Sequence, residues 1–214
     1  MVRRAPDTTS KYSSGAARWT DEAYADPSGY LRHRADLVVS LGPRLQPRDT
    51  VLDLACGDAG FAEHLLPFGL RYAGVDANEP MVKAARRRLG DRARVELADL
   101  NDYEPSEPVT ATTCFRAIYY ARDRRALFRR IASYTERKLV FDLNPRQYQL
   151  GCVRADLEAA GFDRLALRPF FAPQRVALPG PLAAVFHAAE RAGPLARCAL
   201  RVRFSYLCAA YRAA

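Results

Sequence analysis

A chain of 214 residues that is 49% hydrophobic and 27% charged has the balance of one globular domain and excludes wholesale disorder. It contains no run of 18 apolar residues, which excludes a spanning helix, and the start Met1-Val2-Arg3-Arg4 lacks the apolar core of a secretory signal. The net charge of +9 comes almost wholly from arginine, since only Lys11, Lys83 and Lys138 are lysines; its spread along the chain predicts a solvated basic surface and argues against a nucleic-acid patch.

Residues 1–18 are small and polar and predict a flexible N-terminus. Over 19–46 the spacing of Leu31, Ala35, Val38 and Val39 predicts helix, stopped by Gly42-Pro43. Strands are expected at 50–54, 71–75, 94–97, 110–115, 138–143, 165–167 and 201–209. Helices are expected near 60–67, from Asn78 to Leu89, over 123–135, over 151–160 and over 181–191. The last of these is amphipathic through Leu182, Val185, Phe186 and Ala189. Strands alternating with helices at this spacing predict βαβ units in a doubly wound, mostly parallel seven-stranded α/β sheet. In such sheets ligands bind beyond the carboxyl ends of the strands, so those ends are where chemistry is sought.

The five cysteines, Cys56, Cys114, Cys152, Cys198 and Cys208, are odd in number and form no C-x-x-C pair. They predict buried thiols in a reducing, cytoplasmic setting, with no zinc site. His33, His64 and His187 show no metal-ligand spacing either.

Three acids fall at the expected strand ends. The first strand leads into Asp53-Leu54-Ala55-Cys56-Gly57-Asp58-Ala59-Gly60, whose small residues let backbone approach a ligand closely. Asp76 stands 23 residues after Asp53, where a carboxylate can accept both hydroxyls of a ribose. Asp99 stands another 23 residues on, where it can accept from an exocyclic amine such as adenine N6.

These stretches resemble the class I S-adenosylmethionine-dependent methyltransferases, small-molecule type. Val51 to Gly60 is similar to their glycine-rich first motif, Gly74 to Met81 to their ribose motif, and Leu97 to Leu100 to their adenine motif. The resemblance spans about residues 48–168. It implies S-adenosylmethionine as cofactor and a Rossmann-like fold, with Asp53, Ala55, Gly57, Asp58, Asp76, Ala77, Met81, Asp99, Leu100 and Phe115 around the cofactor. Ala55 and Ala59 stand where the family usually has glycine. The resemblance further implies an N-terminal lid over 19–46, with Arg34 or a tyrosine of that segment facing the cofactor's carboxylate. It also implies an acceptor-side insertion over 169–199, before a last strand over 200–210. Phe170, Phe171, Leu178, Leu182 and Phe186 of that insertion are candidates for an apolar acceptor pocket; membrane contact by its helix is weakly supported. Arg116, Tyr119 and Tyr120 follow the fourth strand and are the substrate-side candidates.

Two other enzymes compete. Ala55-x-Gly57-x-x-Gly60 with Asp76 is close to a dinucleotide fingerprint, and Tyr134 and Lys138 have the spacing of a dehydrogenase pair. Against this, Asp53 lies inside the first strand, Lys138 lies in a strand and not on a helix face with Tyr134, and position 121 is Ala121 where a serine is wanted. RNA methylation is motivated by charge alone. A non-catalytic cofactor-binding protein is the third alternative. The expected reaction is methyl transfer to a small, partly apolar metabolite.

Overall fold

β1 (Thr50–Leu54) is buried from Val51 onward, as befits a strand covered on both faces. In the computed structural model, which describes residues 15–193 and 205–213, it is one of seven strands in a single sheet. The others are β2 (Arg71–Asp76), β3 (Arg94–Leu97), β4 (Val109–Cys114), β5 (Thr135–Leu143), β6 (Arg164–Phe170) and β7 (Ser205–Tyr211). Their order is β3-β2-β1-β4-β5-β7-β6. β1 to β5 run parallel, while β7 pairs antiparallel with both β5 and β6. The winding reverses between β1 and β4, which sets the binding edge at their carboxyl ends.

Helices α1 (Trp19–Ala23) and α2 (Pro27–Ser40) precede the sheet. They are followed by α3 (Ala62–Leu65), α4 (Glu79–Leu89), α5 (Arg124–Tyr134), α6 (Leu150–Ala159) and α7 (Gly180–Ala189). Val51 packs one sheet face against Leu31 and Val38 of α2 and Leu65 of α3. Leu52 and Leu54 pack the other face against Phe128 and Ile131 of α5 and Leu157 of α6. A fully buried leucine of this kind contributes about 1.5–3 kcal/mol.

The expected architecture stands, with local differences. The N-terminal helix is broken at Tyr24–Asp26, because Pro27 disfavours helix in the residue before it. Asp26 caps the second piece, its Oδ1 accepting from Gly29 N at 2.9 Å. The helix expected over 60–67 is one turn of α-helix and a tight 3-10 turn through Pro67, closed by Gly69 at φ 74°. β3 ends at Leu97, so Asp99 lies in the loop beyond it. β5 starts at Thr135, directly after α5, which leaves Tyr134 on a helix end and Lys138 in a strand. The terminus over 1–14, Cys198 and residues 201–204 of the expected last strand lie outside the described residues. No helix among the described residues is long and apolar enough to cross a membrane.

The insertion departs further from expectation. Phe170 and Phe171 are buried in the body of the protein, and Phe170 meets Tyr30 of α2 edge-on at 5.0 Å. α7 buries none of its residues fully, and Leu182 and Val185 stand exposed. The insertion grips the N-terminal segment instead: Ala25 N donates to Gln174 O at 2.9 Å, and His33 Nε2 lies 2.7 Å from the buried Glu190 carboxylate.

The basic surface also has an exception. Lys138 is fully buried. Its Nζ donates to Leu41 O at 2.8 Å and Val39 O at 3.3 Å, satisfying carbonyls at the end of α2. Burial pulls this amine down to about 7, with Arg137 and Arg44 adding to the fall and Asp49 opposing it. A folded value below the unfolded 10.5 means that between the two the unfolded chain holds a proton the folded chain lacks. Stability from this group therefore rises with pH in that window, by up to about 1.4 kcal/mol per pH unit. Urea unfolding of the parent and of Lys138→Met between about pH 7 and 8.5 should show a steeper upward slope for the parent. Equal slopes would contradict the assignment.

Candidate active site

The turn after β1 is built from residues in left-handed conformation. Ala55 has φ 59°, Gly57 59° and Ala59 56°. Glycine adopts such angles freely, whereas each alanine costs about 1–2 kcal/mol. The two alanines thus keep the turn that glycine would make, at the expense of strain. Two carboxylates hold that turn. Gly57 N donates to Asp76 Oδ2 at 2.8 Å, while Asn78 N donates to Asp76 Oδ1 at 2.8 Å. With its four lone-pair sites, the Asp76 carboxylate retains capacity to accept from a ligand beyond these amides. Burial raises the Asp76 pKa, against the lowering effect of these amides. Asn78 in turn caps α4 by accepting from Met81 N at 3.1 Å, which sets Met81 beside Asp76.

Asp58 is the second carboxylate, and it faces the N-terminal segment. Its Oδ2 accepts from Thr20 N at 3.1 Å and from Arg88 Nη2 at 2.7 Å; its Oδ1 accepts from Thr20 Oγ1 at 2.5 Å. The side chain is fully engaged in tying α1 to the turn and to α4. Gly60 permits this approach, because a Cβ there would collide with Thr20 Oγ1.

Asp53 lies deeper. Its oxygens accept from Tyr72 OH at 2.8 Å and Thr113 Oγ1 at 2.6 Å. Burial pushes its carboxyl up to about 6, and these two hydrogen bonds pull the other way. Asp99 sits at the far side. Its Oδ1 accepts from Asn101 N at 2.8 Å, and its Oδ2 pairs with Arg122 Nη2 at 2.7 Å.

All these groups border one cavity of about 390 Å³. Asp53, Ala55, Gly57, Asp58, Asp76, Ala77, Met81, Asp99, Leu100 and Phe115 line it, as does Arg34 from α2. Arg116, Tyr119 and Tyr120 line it beyond β4. The cofactor-side candidates and the three substrate-side candidates after the fourth strand are therefore brought together. Trp19 and Tyr24 close it from the N-terminal side. Phe170, Phe171, Leu178, Leu182 and Phe186 do not line it, since the insertion packs behind α2. Thr20, Asn101 and Arg122 line it without any local signal in the sequence. Asp142 accepts from Arg116 N at 2.6 Å and so shapes the loop after β4.

Arg34 is 4% exposed. Its guanidinium stacks over Phe115 at 4.4 Å and donates to Tyr30 OH at 2.9 Å, yet its Nε has no partner. Burial opposes its charge, but Tyr30, Tyr24 and Asp142 more than offset this and hold its pKa above the ordinary arginine value. A buried, incompletely paired cation is a place for a carboxylate. A nucleoside fits beside Asp76 and Asp99, and an amino-acid tail fits toward Arg34. The residues present thus suit S-adenosylmethionine. The described residues contain no cluster of three or more His, Cys, Asp or Glu that could hold a metal ion.

Comparison with known proteins agrees. Residues 51–138 match the family described as methyltransferase domain. The chain is 31% identical over 108 residues to a dTDP-3-amino-3,4,6-trideoxy-alpha-D-glucopyranose N,N-dimethyltransferase of Streptomyces venezuelae, covering 50% of this chain and 45% of that protein. It is 27% identical over 116 residues to a dTDP-4-amino-2,3,4,6-tetradeoxy-D-glucose N,N-dimethyltransferase of Saccharopolyspora spinosa, covering 53% and 46%. It spans about half the length of these curated relatives. Magnesium protoporphyrin IX methyltransferase from Synechocystis PCC 6803, solved with bound cofactor, superposes with a TM-score of 0.64 at 16% identity over 97% of this chain and 93% of that one. At that identity the likeness is one of fold. The similarity to the methyltransferase domain family lies over residues 51–138, which hold the turn after β1, Asp76 and Asp99.

The Thr20–Asp58 junction makes a direct prediction. Gly60→Ala should unseat α1 at a cost of about 1–3 kcal/mol, as overpacking does. Acrylamide quenching of Trp19, the single tryptophan, should then increase. Quenching equal to that of the parent would show that the junction tolerates the methyl group.

Proposed function

We propose that the protein transfers a methyl group from S-adenosylmethionine to a small, partly apolar metabolite. The observation that carries this reading is the meeting of Asp53, Asp76 and Asp99, from three successive strand ends, on one cavity. In this reading Asp76 accepts the ribose hydroxyls, and Asp99, with Asn101 and Arg122 fixing its orientation, borders the adenine. Arg34 takes the carboxylate, with Phe115 and Tyr30 keeping its guanidinium in place. Asp58 acts one step away, by fastening α1 over the turn. The division into a lid over 19–46, a core over 48–168 and an insertion over 169–199 belongs to the same proposal. The insertion's part is to brace the lid. The buried thiols of Cys56, Cys114 and Cys208 suit a cytoplasmic setting.

The bound cofactor supplies a methyl group on a positive sulfonium with a neutral leaving group. The protein's work is then alignment and exclusion of water, which can remove roughly 7–11 kcal/mol of barrier. Trp19, Tyr24 and Phe115 exclude water around the cavity. Tyr119 and Arg116 border the side where an acceptor enters, next to β4. The two curated relatives are named as amino-sugar N,N-dimethyltransferases, which favours nitrogen as the methylated atom.

Calorimetric titration should show S-adenosylmethionine binding and no NAD binding. Asp76→Ala should weaken the former by about 1–3 kcal/mol, the cost of hydroxyls left unpaired. Unchanged affinity would remove Asp76 from the site. Label from methyl-tritiated cofactor should enter low-molecular-mass material of a cell extract; label in RNA alone would overturn the acceptor class. The Asp53 carboxylate attracts a cationic ligand only when ionised. Cofactor affinity should therefore fall as pH drops through about 6, and Asp53→Asn should abolish that dependence. A parent whose affinity is constant across that range would exclude Asp53 from this part.

A further inference from the structure

Arg116 is set in place by an unfavourable backbone. Its φ is 53°, a left-handed angle that is strained for a residue with a side chain. Asp142, on the neighbouring strand β5, holds that conformation by accepting the Arg116 amide at 2.6 Å. Such strain persists where surrounding structure fixes it, and it clusters at ligand-binding sites. The result is a half-buried guanidinium projecting into the cavity just beyond β4, hydrogen-bonded to Tyr24 and close to Tyr119 and Tyr30.

Its partners are all phenols. Nine arginines among the described residues form ion pairs with carboxylates, and most of those nine are well exposed. Arg34 and Arg116, the two that are enclosed by the cavity wall around Tyr24, form none within 4.0 Å among the described residues. A withdrawn guanidinium that forms no direct pair with a carboxylate can still take an anion. The cofactor brings one carboxylate, and Arg34, the more deeply buried and the nearer to Asp53, accounts for it. One cation remains on the side where the acceptor enters.

We propose that Arg116, steadied by Tyr24, binds an oxyanion of the methyl acceptor, a carboxylate or a phosphate. This rests on the methyltransferase reading above. It makes Arg116 a specificity determinant: the anion fixes one end of the acceptor, and the distance from there to the methyl group selects which atom reacts. A planar guanidinium suits both oxyanions, since it can donate two parallel hydrogen bonds to either.

The test uses protein saturated with S-adenosylhomocysteine and titrated calorimetrically with four probes. Phenyl phosphate and benzoate carry the anions; phenol and benzamide are their uncharged counterparts. At least one anionic probe should bind about tenfold or more tightly than its counterpart, as expected for a charge-assisted hydrogen bond in a sheltered site. Preference for phenyl phosphate assigns a phosphate-bearing acceptor, and preference for benzoate a carboxylate. Arg116→Gln should erase the preference while S-adenosylhomocysteine still binds, and Arg116→Lys should restore part of it. Arg34→Gln should lower S-adenosylhomocysteine affinity instead. Anions that bind no better than neutral probes, or a preference that survives Arg116→Gln, would overturn the proposal. Failure of the parent to bind S-adenosylhomocysteine at all would instead defeat the methyltransferase reading, and this inference with it.

Discussion

The binding edge depends on one contact: the Gly57 amide donating to the Asp76 carboxylate. It joins the turn after β1 to the end of β2, and it does so where three residues of that turn have left-handed angles. Two of the three are alanines, so the turn is not held by backbone preference alone. Without an acceptor at Asp76, a buried amide would be orphaned and the strained turn would lose its fastening. The same carboxylate organises the next element, because it receives the Asn78 amide while Asn78 caps α4. A ligand meeting Asp76 therefore meets a group whose position is fixed from both sides. That is pre-organisation, and it lowers the entropy lost on binding.

Electrostatics in the cavity are arranged in layers. Asp58 and Asp99 are each satisfied by an arginine, Arg88 and Arg122, and so act as struts. Asp53 is buried and Asp76 half-buried, neither with an arginine bonded to it, and both have raised pKa values because burial disfavours the ionised form. These two are the acids able to respond to a ligand's charge. Arg34 and Arg116 mirror them with the opposite sign. The cavity thus keeps two kinds of uncompensated charge close together, separated by the Phe115 ring and the phenols of Tyr24 and Tyr30. A zwitterionic ligand with a further positive centre fits such a field better than a neutral one.

Much of this was legible in the sequence because it is local. The apolar runs at 50–54 and 71–75 announced buried strands, and the acids 23 residues apart announced the functional edge. What was illegible depends on residues far apart in the chain. Thr20 meets Asp58 across 38 positions, and Lys138 meets Leu41 across 97. Neither pairing leaves a periodic or compositional trace. Arg122 reaches Asp99 from a loop whose sequence resembles any other surface loop. The insertion misled for another reason. Leu182, Val185 and Phe186 have the period of a packed helix, and period reports which residues share a face, not which neighbour that face meets. Here the cavity wall was taken up by the N-terminal segment, and the insertion went behind it.

That arrangement determines what walls the cavity on its N-terminal side. The far end of α2 is riveted to β5 by the Lys138 amine, and Ala25 is stitched to Gln174 just ahead of the helix. α2 is therefore a fixed rampart, carrying Arg34 with it. Upstream, the short piece bearing Trp19 and Thr20 is fastened to the turn after β1 by the Asp58 clasp. The N-terminal wall of the cavity is thus a stiff jaw tipped by a clasped tongue, its rivet one carboxylate at the cavity's edge.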